Sequence, residues 1–233
     1  MEFEFLPLSG ADNASGVVVV IDVVRAFTTA AYAFAAGASA ITVTGEISAA
    51  LSLQQSIPGA RLMGENDGNL IPGFDYGNSP EQVQAQDLRQ VHLIQRTSAG
   101  TQGLVRAVHA RALLAASLVV ASATAEHLRR LSPPRVTFIA TGLGADGWGD
   151  EDLACAEYIA ALLRGESPDI PALQQRIRRS PVGQRMVAPG QTTFWPGDLT
   201  LCLAVNRFNF IMPAHRTPAG QIVLQPQTVP PVA

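Results

Sequence analysis

Acidic and hydroxyl side chains follow several of the apolar runs in this sequence, and these residues could do chemistry. Asp22 comes directly after the run VVVVI, and Arg25 and Thr28 follow within one helical turn or two. A carboxylate in such a place can bind a metal ion or attack phosphorus, and an arginine can hold phosphate oxygens with its forked donors. The sequence equally allows Asp22 to be only the cap of the helix that follows.

Two more acidic positions lie in glycine-rich segments. The turn GENDG presents Glu65, and the loop GFDYGNSP contains Asp75. Hard oxygen ligands of this kind suit magnesium, although an acidic turn can also be no more than a turn. In the same loop, Ser79 and Pro80 have the pattern of a helix start, with serine as the cap and proline at the first helical position.

The segment TSAGTQG joins an apolar run to a helical pattern and offers several donors to an anion. Backbone N–H groups at the start of a helix, together with hydroxyl groups, can bind phosphate. The segment lacks the lysine of a P-loop. Ser122 and Thr124 follow the run SLVVA in a similar way. The predicted phosphate-binding residues are Arg25, Thr97, Ser98, Gly100, Thr101 and Gln102.

Glu151 and Asp152 begin a helical pattern after the glycine-rich loop GLGADGWG. Acidic residues are favoured at a helix start by the helix dipole, so either residue alone could be structural. The functional interpretation rests on convergence, because five successive strand ends carry carboxylates or donors to phosphate. In α/β sheets, ligands bind beyond the carboxyl ends of the strands.

The elements that must position these residues alternate along the chain. Apolar, β-branched runs predict strands, and alanine-rich segments of helical period follow them, beginning with a strand at Val17–Ile21 and a helix at Arg25–Ala36. This alternation predicts an α/β fold with helices on both faces of a largely parallel sheet. We expect a single domain over 1–215, with two similar halves as an alternative, and a loosely held tail over 216–233.

Composition excludes several classes of function. Hydrophobic residues make up 47% of the chain, the net charge is -3, and no apolar run is long enough to cross a membrane. The 16 basic residues are scattered arginines, which does not predict a nucleic-acid surface. The histidine spacing does not predict zinc, and Cys155 and Cys202 are expected to be reduced thiols. A cytoplasmic protein without membrane or nucleic-acid partners is expected.

Several blocks of this sequence together resemble the 2-phosphosulfolactate phosphatase family. The blocks occur in order over roughly 1–215, and the pairing of DxxRA with GFDxxNSP is specific. The matching blocks are VIDVVRAFTTAAYAFAAGA, GENDGNLIPGFDYGNSP, RTSAGTQGL, ASATA, GDEDLACAEYIAALLRG and SPVGQRM…PGDLTLCLAVNRFNFIMP. The resemblance implies a three-layer α/β/α fold with a mixed sheet, and a homo-oligomer.

The resemblance also implies a magnesium-dependent acid phosphatase that acts on small phosphorylated hydroxy acids. The named substrate of the family is (2R)-O-phospho-3-sulfolactate, which is cut to sulfolactate and phosphate on the route to coenzyme M. Carried onto this sequence, the catalytic residues are Asp22, Arg25 and Glu151. The metal ligands so implied are Asp22, Glu65, Asp75 and Asp152. Whether Asp22 or a water attacks phosphorus stays open.

This sequence departs from the family pattern at four positions near the proposed anion site. These positions are Asn66, Ala99, Ala140 and Thr141. They leave the carboxylates in place but alter donors, so they bear on the substrate more than on the reaction. A hydrolase of another small phosphate ester and a non-catalytic anion-binding protein are the alternatives. A haloacid-dehalogenase phosphatase is excluded because Val24 stands where that class needs a second aspartate.

Overall fold

The structure is a computed structural model that describes residues 1–144 and 148–230. The middle of the predicted glycine-rich loop, 145–147, and the last three residues of the predicted tail lie outside the described residues. The strands are β1 (Glu2–Pro7), β2 (Ser15–Ile21), β3 (Ala40–Thr44), β4 (Arg61–Asn66), β5 (Asn69–Leu70), β6 (His92–Arg96), β7 (His109–Ala116), β8 (Arg135–Ala140), β9 (Phe210–Arg216), β10 (Ile222–Leu224) and β11 (Gln227–Thr228). The α-helices are α1 (Ala26–Ala35), α2 (Ile47–Ser56), α3 (Pro80–Gln84), α4 (Gly100–Arg106), α5 (Ala121–Leu131), α6 (Asp150–Leu163), α7 (Ile170–Arg179), α8 (Pro181–Met186) and α9 (Asp198–Cys202).

Strand β2 lies inside the sheet because its valines leave no polar face. The side chains at 17–20 are at most 3% exposed, and β2 pairs in parallel with β7 on one side and with β8 on the other. Strands that are apolar on both faces are typical of parallel sheets covered by helices. The predicted strand over Val17–Ile21 is confirmed, and it begins two residues earlier than predicted.

The sheet consists of two parallel groups joined by antiparallel strands. Strands β1, β8, β2 and β7 form the first group, and β3, β6 and β4 form the second. Between them, β9 pairs with β7, β10 pairs with β9, and β3 pairs with β10, all antiparallel. Three antiparallel pairings in succession make the two groups run in opposite directions along the sheet.

The carboxyl ends of these opposed groups come together in the structure. Gly100, which follows β6, lies against Asp22, which follows β2. The strand ends of both groups therefore meet at one place.

Helices cover both faces of the sheet, which gives the predicted three-layer α/β/α fold with a mixed sheet. Helix α1 is buried over nine of its ten residues, in keeping with its alanine-rich sequence. The predicted helical region over 166–190 corresponds to α7 and α8. Within the described part of the chain, no helix has both the length and the apolar character that crossing a membrane requires.

The predicted loose tail over 216–233 is wrong for the residues that form β10 and β11. Strand β10 lies in the interior of the sheet, between β9 and β3, and the Leu224 side chain has no solvent exposure. Strand β11 pairs with β9 as well. The proline and glutamine content suggested a mobile end, but the few apolar residues among them complete the core.

The predicted strand over SLVVAS is also wrong. The strand is β7, eight residues earlier, and residues Leu118–Val120 form a 3-10 turn that leads into α5. The segment ALLAA within β7 has a composition that favours helix. Pairing with β2 and β9 on either side outweighs that local preference, which a sequence pattern does not reveal.

Candidate active site

Asp22 stands at the carboxyl end of β2 and is 6% exposed. Its Oδ1 accepts a hydrogen bond from the Ala26 N–H at 2.9 Å, which satisfies a free donor at the start of α1. Gly100 packs against the other oxygen, and a Cβ atom there would lie only 2.7 Å from Oδ2. A glycine is therefore required for the loop after β6 to reach this carboxylate.

Glu151 and Asp152 lie in the first turn of α6 and are both buried. Asp152 accepts hydrogen bonds from the Val23 N–H at 2.7 Å and from the Gly142 N–H at 2.8 Å, one to each oxygen. It therefore ties the end of β2 to the end of β8. Glu151 differs, because its buried Oε2 has no hydrogen-bond partner among the described residues.

Glu65 brings a fourth carboxylate from the second parallel group of strands. It lies near the end of β4 and is 6% exposed. Its carboxylate accepts hydrogen bonds from the Ser98 N–H at 2.6 Å and from the Gly68 N–H at 2.5 Å. Glu65 thus connects the turn after β4 to the loop after β6.

The pKa values of Asp22, Glu151 and Asp152 are raised by burial and by nearby carboxylates. Burial, together with the charge of Glu65, raises the pKa of Asp22 to about 6. Burial, together with the charges of Asp22 and Asp150, raises the pKa of Glu151 to about 7. Burial is also the main cause that holds the pKa of Asp152 well above its usual range, and the charges of Glu151 and Asp22 add to it. We refer to Asp22, Glu65, Glu151 and Asp152 as the acidic cluster.

Arg25 is held beside the acidic cluster by a residue far along the chain. The Arg25 Nη1 donates to Asp198 Oδ2 at 2.8 Å, and both side chains are buried. The Phe194 ring lies 4.5 Å from the centre of the guanidinium group. Asp198 also accepts hydrogen bonds from the Ser79 hydroxyl at 2.6 Å and from the Trp195 N–H at 3.2 Å.

The predicted phosphate-binding loop after β6 is bonded mainly to protein groups. The Ser98 N–H donates to Glu65, and the Gly100 N–H lies in hydrogen-bond contact with Asp22. Thr97 and Thr101 bond to each other through their hydroxyl and N–H groups. The Gln102 amide donates to the carbonyls of Gly45 and Thr97. The loop lies at the site as predicted, and its role toward phosphate stays a prediction.

Asp75 lies apart from the acidic cluster, so the structure does not support its inclusion among the predicted metal ligands. It is exposed, and its Oδ2 accepts a hydrogen bond from the Leu62 N–H at 2.7 Å. Leu62 precedes Glu65 by three residues on β4, a separation of about 10 Å along the strand. The sequence could not show that the loop folds back to the beginning of β4.

Ser122 and Thr124 do not follow a strand, because the run SLVVA is not one. Both lie in α5, where the Thr124 hydroxyl donates to the carbonyl of Val120 at 2.9 Å. Ser117 is the residue that follows β7, and its buried hydroxyl has no partner among the described residues. The misplaced strand concealed this position.

Two charged residues of the site were missed by sequence reasoning. Asp198 appeared only inside an apolar terminal block, and Arg96 appeared only as the last residue of a predicted strand. Both lie within blocks that carry the family resemblance, which was the available signal. Their roles depend on contacts across more than 25 positions of the chain, for example from Arg96 to Glu65 and from Asp198 to Arg25.

A profile of the family described as 2-phosphosulpholactate phosphatase matches residues 6–216. The chain belongs to the 2-phosphosulfolactate phosphatase family. The predicted resemblance to this family is confirmed.

Relatives in this family cover most of the chain. A protein of Carboxydothermus hydrogenoformans named "Probable 2-phosphosulfolactate phosphatase" is 35% identical over an alignment of 236 positions that covers 95% of each chain. A protein of Bacillus subtilis with the same name is 33% identical over 195 residues, 83% of this chain and 85% of the relative. One of Deinococcus radiodurans is 37% identical over 150 residues, 63% of this chain and 62% of the relative.

Two of the departures from the family pattern touch the candidate site directly. Asn66 Oδ1 accepts a hydrogen bond from Arg96 Nη1 at 2.8 Å. The Thr141 hydroxyl donates to the carbonyl of Ile21 at 3.0 Å, at the end of β2. These side chains adjust the surroundings of the acidic cluster without replacing any of its carboxylates.

Proposed function

We propose that this chain is a phosphatase that hydrolyses the phosphate monoester of a small acidic alcohol, with (2R)-O-phospho-3-sulfolactate as substrate and Mg²⁺ as cofactor. The observation that carries the proposal is the buried acidic cluster beside Arg25, at the place where the strand ends of both parallel groups meet. The names of the relatives support the substrate. The reaction breaks the bond between phosphorus and the alcohol oxygen and transfers the phosphoryl group to water.

The residues present fit a divalent cation. Four buried carboxylates concentrate negative charge where an anionic substrate must bind, and one of them, Glu151, has an oxygen without a hydrogen-bond partner in the described part of the chain. Arg25 offsets only part of this charge, because it is also paired with Asp198. The oxygen donors are of the hard type that magnesium prefers, and a carboxylate that accepts one or two N–H bonds keeps further acceptor positions.

Asp22, Glu65 and Asp152 would hold this cation. In the arrangement of the described residues, no three carboxylate, imidazole or thiol groups already converge on one ion. Magnesium commonly takes only one or two carboxylates and completes its shell with water and substrate oxygens. When bound, the ion supplies positive charge that offsets the charge of the phosphoryl oxygens.

Arg25 and Glu151 supply the complementary functions. Arg25 has donors beyond the one that bonds to Asp198, and it directs them at phosphoryl oxygens beside Asp22. Glu151, with a pKa of about 7, keeps its proton in mildly acidic solution and can give it to the alcohol oxygen as that oxygen leaves. A carboxylic acid that is protonated near neutral pH fits an acid phosphatase.

Asp22 either attacks phosphorus itself or positions the water that does so. The first route forms a phosphoenzyme, and the second does not. A rapid-quench experiment with substrate labelled in the phosphate separates the two routes, because only the first leaves label on the protein. Both routes require an ionised Asp22.

The other implications of the resemblance stay predictions. They are a place on the route to coenzyme M, a cytoplasmic location and a homo-oligomeric state. A sedimentation measurement of the purified protein tests the last of these directly.

The proposal is tested by phosphate release from phosphosulfolactate with added Mg²⁺, with EDTA, and with the variant Asp22→Asn. We expect EDTA to abolish release, and we expect Asp22→Asn to lower kcat by roughly 10³-fold or more while the circular dichroism spectrum stays unchanged. Asp75→Asn is the matched control, because Asp75 lies apart from the acidic cluster, and its activity should stay within about a factor of two. Equal losses in the two variants, or full activity in EDTA, would contradict the proposal.

A further inference from the structure

Arg96 is a cation fixed at the site by neutral groups. It is the last residue of β6 and is only partly exposed. Its Nη1 donates to the carbonyl of Glu65 at 2.8 Å and to the side-chain oxygen of Asn66 at 2.8 Å. Its Nε donates to the carbonyl of Gly45 at 3.2 Å. These bonds join the ends of β3, β4 and β6 around one guanidinium group.

The charge of Arg96 has no carboxylate partner within residues 1–144 and 148–230, where eight ion pairs are formed by other residues. Arg25 makes the contrast clear, since its guanidinium pairs with the buried Asp198. A partly buried charge without a counter-charge is costly, and carbonyl dipoles replace only part of its hydration. Neutral groups of the protein therefore hold this positive charge in place without a direct ion pair.

The geometry leaves part of the guanidinium available. No hydrogen bond among the described residues involves Nη2 of Arg96. The Ser98 hydroxyl lies 3.4 Å from Nη1 and donates to Glu65 Oε2 at 3.2 Å, which places the guanidinium directly beside the acidic cluster. Nη2 therefore keeps two N–H donors, and a guanidinium held in place through Nε and Nη1 is suited to binding a carboxylate or sulfonate with that nitrogen.

We infer that Arg96 binds an acidic group on the alcohol part of the substrate, a carboxylate or a sulfonate, and so selects phosphorylated acids over simple phosphate esters. The inference rests on the proposed function and adds a specificity residue to it. The two arginines come from different groups of parallel strands and bind different parts of the substrate. Arg25, three residues after Asp22, serves the phosphate, and Arg96, across Glu65 in the second group, serves the other acid.

The test compares four phosphate esters that differ only in their acidic groups. They are phosphosulfolactate, 2-phospholactate, which lacks the sulfonate, 2-phosphooxypropane-1-sulfonate, which lacks the carboxylate, and isopropyl phosphate, which lacks both. For Arg96→Gln, we expect kcat/KM to fall by roughly 10- to 100-fold on the ester whose acid Arg96 binds and on phosphosulfolactate. The value for isopropyl phosphate should stay close to that of the unmodified protein.

Arg61→Gln is the matched control. Arg61 lies on β4, next to β6, but at the other end of the strand, where it contacts the Tyr76 hydroxyl. We expect this variant to leave the ratio between phosphosulfolactate and isopropyl phosphate unchanged. An equal loss on all four esters in Arg96→Gln would overturn the inference, because it would assign Arg96 to the phosphate or to the fold.

Direct binding separates this inference from the proposed function. Calorimetric titration with sulfolactate, which carries both acids and no phosphate, should give binding to the unmodified protein that weakens roughly 10- to 100-fold in Arg96→Gln. If phosphosulfolactate is not hydrolysed but this difference appears, the proposed reaction fails and the assignment of Arg96 stands. Hydrolysis without any effect of Arg96→Gln on sulfolactate binding overturns the assignment alone.

A second variant, Arg96→Lys, keeps the positive charge and loses the planar guanidinium group. If Arg96→Gln does not fold, Arg96→Lys takes its place in both measurements, with an intermediate loss expected on acid-bearing esters. Unchanged discrimination in a folded Arg96→Lys variant would count against the inference, since lysine has a single nitrogen and cannot keep the bonds to Glu65 and Gly45 while it binds the acid.

Discussion

At the scale of single residues, Asp198 decides where the Arg25 guanidinium lies. One carboxylate collects the Arg25 side chain, the Ser79 hydroxyl and two backbone N–H groups, those of Glu81 and Trp195. It thereby joins the starts of α3 and α9 to the residue that precedes α1. Ser79 is the helix cap that the sequence predicted, and it accepts from the Gln82 N–H while it donates to Asp198.

Asp198→Asn should destabilise the protein by about 3–5 kcal/mol, because it leaves Arg25 as a buried charge without a partner. It should also raise KM for the phosphate ester, because Arg25 is no longer held beside Asp22. Urea unfolding gives the first quantity and steady-state kinetics the second. Asp87→Asn breaks the exposed pair with Arg89, which solvent screens, and should change the stability far less.

A result in which Asp198→Asn and Asp87→Asn have the same stability would contradict the positioning role. A rise in KM with an unchanged kcat would show that Asp198 acts through binding of the phosphate. Loss of kcat with an unchanged KM would mean that Asp198 takes part in the chemical step. We do not expect this result, because Asp198 is buried and bonded to Arg25.

At the scale of elements, β10 is the piece that makes one sheet out of two parallel groups. It is three residues long, yet it pairs with β9 on one side and β3 on the other. Ile222 and Leu224 point into the core, and Val223 between them is only partly buried. Without β10, the edge of β3 would be exposed, and the second group of strands would lose its connection to the first.

Leu224→Ala should lower the free energy of unfolding by about 2–5 kcal/mol, the range for removing a fully buried leucine side chain. Gln227→Ala is the control, since Gln227 is exposed in β11, and its effect should stay within about 0.5 kcal/mol. Chemical denaturation of both variants measures the difference. Equal stability of the two would mean that the terminal segment does not complete the core.

At the scale of the whole molecule, the acidic cluster that is proposed to bind a cation also lowers the stability of the metal-free fold. Its carboxylates come from both parallel groups, so their repulsion acts across the meeting point of the strand ends. Burial and that repulsion raise the pKa of Asp22 to about 6 and of Glu151 to about 7. Without a bound cation, the repulsion between these buried carboxylates destabilises the folded protein.

The free energy of unfolding of the metal-free protein should therefore fall as the pH rises from about 4 to about 7. A carboxyl group with a raised pKa keeps its proton in the folded state after the unfolded chain has lost its own. Its stabilising contribution is complete below the unfolded pKa and is lost as the pH passes the folded pKa. Each such proton contributes a slope of up to about 1.4 kcal/mol per pH unit.

Urea unfolding in EDTA across this pH range measures the slope. Glu151→Gln should flatten it, because the amide does not titrate, and Mg²⁺ should restore stability at neutral pH by binding only the folded protein. Glu157→Gln, on the same helix but exposed, is the control and should keep the slope. A stability that rises over this range would contradict the burial of the cluster.

The sequence by itself determined the local features. The unbroken valines of β2, the alanines of α1 and the serine-proline start of α3 specify their elements through short-range propensity and burial pattern. These predictions succeed because each depends on neighbours within a few residues. The positions of Asp22, Glu65, Glu151 and Asp152 after apolar runs also predicted that they would face the same region, and their roles at the site stay predictions.

Only the tertiary structure decided which strands join and which polar groups meet. The segment ALLAA became a strand through its two partners, Asp75 turned back to the beginning of β4, and the terminal residues became β10. Asp198 and Arg96 owe their roles to contacts with residues that the chain brings near only when the twisted sheet closes. Local composition carries no record of such pairings, because their free energy arises from burial and charge between distant segments.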